Sequence, residues 1–156
     1  MVSSVSNLRK EGFDVQLTLV GSAYPQALDK LKATIEKVDT NKNFIKYEGS
    51  IDYVDLPSFY QQSDLFVFAS TCENLPIILL EAMASQLPIA CSSRPPIPEV
   101  LGDAGVYFDP ENITSITNSL RRLLMSSKLR RTMAEKAKER ANEFTWEQSA
   151  NDTFQF

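Results

Sequence analysis

The apolar positions change their spacing along the chain, and these changes predict alternating helices and strands. In residues 2–11 apolar side chains recur at helical spacing, which predicts the end of an amphipathic helix. Residues 15–20 alternate between apolar and polar side chains, as a strand does, and residues 26–38 return to helical spacing. Gly12 and Gly21 stand where the first helix and the first strand should end. The N-terminal part therefore predicts helix, strand, helix.

The same alternation continues through the rest of the chain. Four more strands are predicted at residues 44–47, 65–69, 88–91 and 105–108. Helices are predicted between these strands at 56–60, 77–85 and 99–101, and after the last strand over 112–156. Asp52 or Asp55 is the predicted cap of the helix at 56–60. The run 65–69 is apolar throughout, as expected of a strand that is buried on both faces.

Strands that alternate with helices are typical of a parallel sheet whose crossover helices cover both faces. We therefore expect an α/β fold with a Rossmann-like parallel sheet, and 156 residues suit a single domain spanning 1–156. Such a sheet normally begins with a strand, whereas this chain begins in a helix. We expect its first strand to be lacking.

Composition excludes several classes of function. The net charge of −4 disfavours nucleic-acid binding, because counterion release rewards positive proteins. The chain has no histidine, which excludes Ser-His-Asp and Cys-His catalysis and most zinc sites. Two cysteines are too few for a disulfide scaffold, and no apolar run approaches the roughly 18 residues of a membrane span. We expect a cytoplasmic protein.

The C-terminal third carries an excess of positive charge. Residues 121–140 hold eight Lys and Arg side chains against two Glu. One interpretation is a solvated helical face; the other is a weak, peripheral contact with the anionic inner face of a membrane.

Ligands of open parallel sheets bind at the carboxyl ends of the strands. In this chain those ends carry glycines, hydroxyls and one carboxylate, Glu73. The chain lacks a Walker P-loop and a G-x-G-x-x-G fingerprint, so an ordinary nucleotide-phosphate loop is excluded. No Asp-x-Asp pair indicates a divalent metal at a transfer site, and we expect none.

The strongest local signal is a pair of acids, Glu73 and Glu81, separated by seven mostly apolar residues. Glu81 falls within an apolar helix, where a charge needs partners, and ribose hydroxyls would supply donors. Glu73 precedes that helix, whose first free N–H groups suit a phosphate. The simpler alternative is that Glu73 caps the helix and Glu81 forms a salt bridge at its rim.

The segment from Glu73 to Ala84 resembles the E-x7-E motif of the family 4 (group 1) retaining glycosyltransferases. The resemblance extends in the same order from about residue 12 to 150. Further segments similar to the nucleotide-binding half of that family are Leu19-Val20-Gly21, Tyr47-Glu48-Gly49, Leu56 with Phe59 and Tyr60, 63–67, 87–90, 98–100, 105–110 and 144–146.

The resemblance implies the C-terminal, donor-binding half of a two-domain GT-B enzyme, without its N-terminal acceptor-binding domain. It implies a nucleotide-sugar donor, retention of configuration, and neither an essential metal nor a separate cofactor. Glu73 matches the catalytic acid that faces the donor sugar, and Glu81 matches the acid that binds the ribose. The backbone expected to meet the sugar and the diphosphate is that of Asn74, Leu75, Pro76, Ile77 and Ile78. Further donor contacts are expected at Gly21 near the phosphates and, flanking the base, at Gly49, Ser50 and Ile51.

Two departures from the family pattern affect the expected activity. The family usually has Gly-Phe-Gly after the first acid, where this chain has Asn74-Leu75-Pro76. The first strand and the loop that carries the family's Arg and Lys diphosphate clamp are also absent, and Arg94 is considered as a substitute cation. We expect the full-length protein to be a hexosyltransferase acting on a glycan or glycolipid, and the chain alone to be inactive.

Two other classes of function remain as alternatives. One is a non-catalytic GT-B-like module, a pseudoenzyme or interaction domain, which the missing Gly-Phe-Gly pattern supports. The other is a nucleotide-sugar epimerase, which should carry histidine among its acid–base residues, or a phosphorylase, which needs a lysine for pyridoxal phosphate. Lys42 and Lys46 stand in no such context.

Overall fold

Five strands and eight α-helices make up the computed structural model, which describes residues 1–154. The strands are β1 (Leu17–Val20), β2 (Ile45–Gly49), β3 (Phe66–Phe68), β4 (Ile89–Ser92) and β5 (Gly105–Phe108). The helices are α1 (Val2–Lys10), α2 (Pro25–Val38), α3 (Leu56–Gln61), α4 (Ile77–Ala84), α5 (Ile97–Leu101), α6 (Ile113–Met125), α7 (Ser127–Ala141) and α8 (Trp146–Phe154). Every predicted strand is present, and the predicted C-terminal helical region is three helices. Its last two positions, 155 and 156, lie outside the described residues.

All the strand pairs are parallel, but the strands form two hydrogen-bonded sheets. β1 pairs with β2, and β3, β4 and β5 pair in that order. Across residues 1–154 no ladder of hydrogen bonds joins β1 to β3. The expected parallel α/β architecture is therefore confirmed, with an interruption of the hydrogen-bonded ladder between β1 and β3.

The three-stranded sheet forms the densest part of the interior. β4 is buried at all four positions, because a strand on either side and helices on both faces cover it. The prediction that β3 is buried on both faces is confirmed only in part: Phe66 and Phe68 pack into one hydrophobic cluster and Val67 into the other, but only Phe68 is fully buried. Within residues 1–154, β3 pairs with β4 alone, which leaves its side chains partly uncovered.

The two-stranded unit formed by β1, α2 and β2 is packed more loosely. The predicted apolar stripe of α2 is half-buried, and no residue of that helix is fully buried. Helix α1 joins this unit to the rest, since it packs against both α2 and α6.

Helix α3 begins without the predicted side-chain cap. Neither Asp52 nor Asp55 accepts a capping hydrogen bond, and a 3₁₀ turn over Tyr53–Asp55 leads into the helix instead. Helices α6 and α7, the first two after β5, are capped by side chains: Asn112 accepts from the N–H of Ser115, and Ser126 from that of Leu129. Within residues 1–154 no helix has both the length and the apolar character needed to cross a membrane.

Candidate functional site

Two of the predicted glycines meet where β1 and β2 end. The N–H of Gly21 donates to the carbonyl of Gly49 at 2.8 Å, and the Tyr47 hydroxyl donates to the carbonyl of Gly21 at 2.8 Å. Their φ angles are +130° and +71°, a conformation that side chains disfavour. Ser50 and Ile51 follow directly, so all four residues of this group share one end of the two-stranded sheet.

A cavity of about 520 Å³ adjoins this end of β1. Its walls are residues 19–23, one side of α2 and the first residues of the chain at the start of α1. The cavity is therefore next to Gly21, where the resemblance places the diphosphate.

The loop before α4 offers fewer amide donors than its position suggests. Pro76 is the fully buried N-cap of α4 and has no N–H. The N–H of Ile77 already donates to the carbonyl of Leu75 at 2.9 Å. Within the described chain, the N–H groups of Asn74, Leu75 and Ile78 make no backbone hydrogen bond, so these three could meet a ligand.

Helix α4 has two unlike faces, although its sequence is apolar almost throughout. Leu79, Ala82 and Met83 are buried in the core, as expected. Ile77 and Ile78 are 54% and 45% exposed, and they share the opposite face with Glu81, because residues three and four apart are neighbours on a helix. An apolar helix sequence favours core positions on every side of Glu81, but in the structure Glu81 lies on an open, mainly apolar face.

Glu81 is held by a tyrosine from the neighbouring helix α3. The Tyr60 hydroxyl donates to Oε2 of Glu81 at 2.9 Å. Burial raises the pKa of Tyr60 well above its usual value, and the hydrogen bond to the Glu81 carboxylate raises it further. The phenol of Tyr60 therefore stays protonated at neutral pH and can donate to Glu81.

The simpler interpretation of the two acids is wrong on both counts. Helix α4 has no side-chain cap, so Glu73 does not cap it. Among the ion pairs of residues 1–154 none involves Glu81. Glu73 is half-buried and has no hydrogen bond or ion pair in the described part of the chain, which leaves its carboxylate open to a ligand.

The spacing of these groups suits an elongated ligand. Glu81 lies four residues beyond Ile77, or about 6 Å along the helix axis at 1.5 Å per residue. A molecule with an anion at the start of α4 could therefore place a hydroxyl-bearing ring beside Glu81.

Sequence reasoning gave Tyr60 no role in the site, although Tyr60 belongs to one of the segments that resemble the family. The available signal was its hydroxyl, because a buried tyrosine usually needs a polar partner. Arg94, in contrast, is not the free cation considered from the sequence. Its guanidinium pairs with Glu111 at 2.9 Å and lies 3.7 Å from Asp109.

Comparison with known proteins gives one consistent result. A family model described as "Glycosyl transferases group 1" matches residues 1–140. O-antigen chain mannosyltransferase B of Escherichia coli is 30% identical over 135 residues, which is 86% of this chain and 35% of that protein. The C-terminal domain of the group 1 glycosyl transferase LpcC from Francisella tularensis superposes with a TM-score of 0.80 at 28% identity, over 91% of this chain and 75% of that one.

Anabaena Alr3699/HepE, solved in complex with UDP and glucose, shares the fold, with a TM-score of 0.84 at 20% identity over 99% of this chain and 44% of that one. The chain thus spans about a third of the curated mannosyltransferase that it matches. The Rossmann-like fold predicted from the sequence is confirmed by these structures. Because the family model covers nearly the whole chain, the protein belongs to the group 1 glycosyltransferase family.

Proposed function

We propose that the chain is the donor-binding domain of a retaining glycosyltransferase that works without a metal ion or a separate cofactor. The full-length enzyme would transfer a hexose-type sugar from a nucleotide sugar to a glycan or glycolipid. Glu73 would act at the donor sugar and Glu81 at the ribose. The free amides near the start of α4, together with cations from outside residues 1–156, would stabilise the leaving diphosphate.

The observation that carries this proposal is the state of the two acids. Glu73 is unpartnered within the described residues, and Glu81 is oriented by a single donor on an open helix face. Within the described residues neither carboxylate forms an ion pair, so both can accept hydrogen bonds from a ligand that supplies donors. Sugar and ribose hydroxyls are such donors, and the bound UDP and glucose of Alr3699/HepE support this ligand class.

The test is an NMR titration of the chain with UDP, GDP and ADP and with their sugar forms. We expect binding near the millimolar range, which needs only about 4 kcal/mol. Glu81→Gln should weaken it about tenfold to a hundredfold, because a hydrogen bond to a charged group contributes about 1.5–3 kcal/mol. Chemical shift changes should be confined to the predicted site, namely Gly21, Gly49–Ile51, Asn74–Ile78 and residue 81.

The matched control is Glu135→Gln, on an exposed face of α7. It removes the same charge and should leave the affinity unchanged. Equal affinity of the chain and its Glu81→Gln variant would remove the ribose contact from the proposal. A chain that binds none of the six compounds would contradict donor binding.

A second candidate is a non-catalytic GT-B-like module, a pseudoenzyme or interaction domain. The specific observation in its favour is the loop before α4, where Pro76 has no N–H and that of Ile77 is used internally. Two of the five residues whose backbone is expected to meet the sugar and the diphosphate therefore offer no free N–H group. This candidate predicts that no nucleotide binds even when the rest of the enzyme is restored.

We further propose that residues 1–156 form the C-terminal domain of a two-domain enzyme, and that one more parallel strand occupies the interruption between β1 and β3. A right-handed crossover through α1 would bring a preceding strand to the open edge of β1. The half-buried residues of β1 and β3 support this position. Without the acceptor-binding domain, the chain should bind donor but transfer no sugar.

A further inference from the structure

The contact between Tyr60 and Glu81 joins two helices at one side of the proposed donor site. Tyr60 is 9% exposed, and its ring lies 6.0 Å from that of Phe66, tilted by 59°. Its hydroxyl is 2.9 Å from Oε2 of Glu81 and 3.4 Å from the carbonyl oxygen of Ile78. A tyrosine hydroxyl has a single proton, so the shorter contact, to a charged acceptor, is the one that it satisfies.

The buried ring gives this hydroxyl a fixed position. Packing against Phe66, which in turn stacks on Phe68, leaves the phenol of Tyr60 no free rotation. The rigid side chain is therefore the tyrosine, and the carboxylate of Glu81, at the end of a flexible side chain, adapts to it. Glu81 has no other side-chain partner in residues 1–154.

The contact leaves half of the carboxylate available. Oε2 accepts from Tyr60 and keeps one lone pair, while Oε1 makes no hydrogen bond within the described residues. A vicinal diol offers two donors at a fixed separation, and it needs both carboxylate oxygens held in one orientation. A fixed orientation lowers the entropic cost of binding, since the side chain is already immobilised.

We propose that Tyr60 is a positioning residue that orients the Glu81 carboxylate toward the vicinal diol of the nucleotide's ribose, and thereby sets the preference for ribose over 2′-deoxyribose. The inference rests on the proposed function. Tyr60 touches no substrate in this role and acts only through Glu81.

The test compares Tyr60→Phe with the unchanged chain. The variant keeps the buried ring and removes only the hydroxyl. The probes are UDP, GDP and ADP and their 2′-deoxy forms, with dissociation constants measured by NMR titration. The unchanged chain should prefer the ribose form, and Tyr60→Phe should lose about fivefold to tenfold in affinity for that form and much less for the deoxy form.

Two further variants separate positioning from a general loss of structure. Tyr107→Phe removes a hydroxyl that donates to the Gly102 carbonyl and touches neither Glu81 nor Ile78, so the ribose preference should persist. Combining Tyr60→Phe with Glu81→Gln should weaken ribose binding no more than Glu81→Gln alone, because one interaction is removed twice.

The outcomes are distinguishable. A chain that binds no nucleotide overturns the proposed function, and this inference with it. A chain that binds without a ribose preference overturns the ribose contact of Glu81. The inference is also wrong if the preference for ribose exists and the Tyr60→Phe variant retains it. It is equally wrong if that variant loses the same affinity for the ribose and the 2′-deoxy forms, because Tyr60 then acts only in packing.

Discussion

At the scale of single residues, Asp39 shows how one carboxylate fixes the chain ahead of β2. Its side chain is 3% exposed and accepts hydrogen bonds from the N–H groups of Asn43, Phe44 and Ile45 at 2.8–2.9 Å. Burial acts to raise the pKa of Asp39, but these three backbone donors outweigh it and the pKa is lowered. The end of α2 is thereby tied to the start of β2, which leads to Gly49 in the candidate site.

Replacing Asp39 by Asn should lower the free energy of unfolding by about 2 kcal/mol at pH 7, because buried N–H groups lose their acceptor. The lowered pKa means that the stabilisation is present above the unfolded value of about 3.9 and is lost as the pH falls through the folded value. The difference in the free energy of unfolding between the variant and the unchanged chain should therefore become smaller at acidic pH. Urea unfolding followed by circular dichroism at pH 7 and near pH 3 measures both effects.

The matched control for that measurement is Asp29→Asn, on the exposed side of the same helix. Its stability should equal that of the unchanged chain at both values of pH. An Asp39→Asn variant that is as stable as the control at pH 7 would show that the Asp39 carboxylate does not stabilise the segment ahead of β2.

Residue roles were predictable from the sequence only where the signal is local. Glu73 and Glu81 stand out because two charges flank an apolar run. Tyr60 does not, since its partner lies 21 residues away and only the packing of α3 beside α4 brings them together. The same holds for Arg94, whose pairing with Glu111 depends on the path of the loop between β4 and α5.

At the scale of elements, the spacing of apolar residues predicted all five strands, because parallel strands are short apolar runs bounded by turns. It did not predict which edges are covered. Burial of β3 depends on a neighbour on each side, and burial of α4 depends on which face meets the core. Both are properties of the assembled sheet, so the run 65–69 alone could not reveal that Phe66 and Val67 are only half-buried.

The open edges of β1 and β3 lead to a prediction for amide exchange. The N–H of Leu17 donates to the carbonyl of Phe44, just before β2, and that of Phe66 donates to the carbonyl of Pro88, just before β4. The alternation of a parallel ladder then turns the N–H groups of Thr18 and Val67 toward the open edges of β1 and β3. Hydrogen exchange measured by NMR should show Thr18 and Val67 exchanging about tenfold or more faster than Leu17 and Phe66.

The adjacent residues serve as internal controls, since each pair shares a strand and a local stability. In a longer form of the protein that carries the proposed additional strand, Thr18 and Val67 should become as protected as their neighbours. Equal protection in the 156-residue chain itself would show that these edges are already paired, and would contradict the proposed position of that strand.

At the scale of the whole molecule, the basic stretch 121–140 is largely used to hold the helices together. Five of its eight basic side chains make contacts within the chain: Arg121 with Glu11, Arg130 with the carbonyls of Leu123 and Leu124, Lys136 with Asp103, Lys138 with the carbonyl of Ala84, and Arg140 with that of Val100. Within the described residues, Arg122, Lys128 and Arg131 are exposed and without such contacts.

This arrangement sets an upper bound on the membrane contact considered from the sequence. At about 1 kcal/mol for each basic side chain near an anionic surface, three of them contribute about 3 kcal/mol, equivalent to a dissociation constant of about 6 mM. The net charge of −4 opposes even this attraction. A contact through residues 121–140 alone should therefore be measurable at low ionic strength and vanish at about 0.15 M salt, where the screening length is about 8 Å.

Sedimentation with phosphatidylglycerol vesicles at the two salt concentrations tests this bound. Changing Arg122, Lys128 and Arg131 together to Gln should abolish the low-salt binding, because no other basic group of the stretch is free to replace them. The same change at Lys10, Lys32 and Lys37, three exposed lysines of α1 and α2, should leave it intact. Binding that persists at about 0.15 M salt and survives the first triple change would place the membrane contact on another face of the molecule.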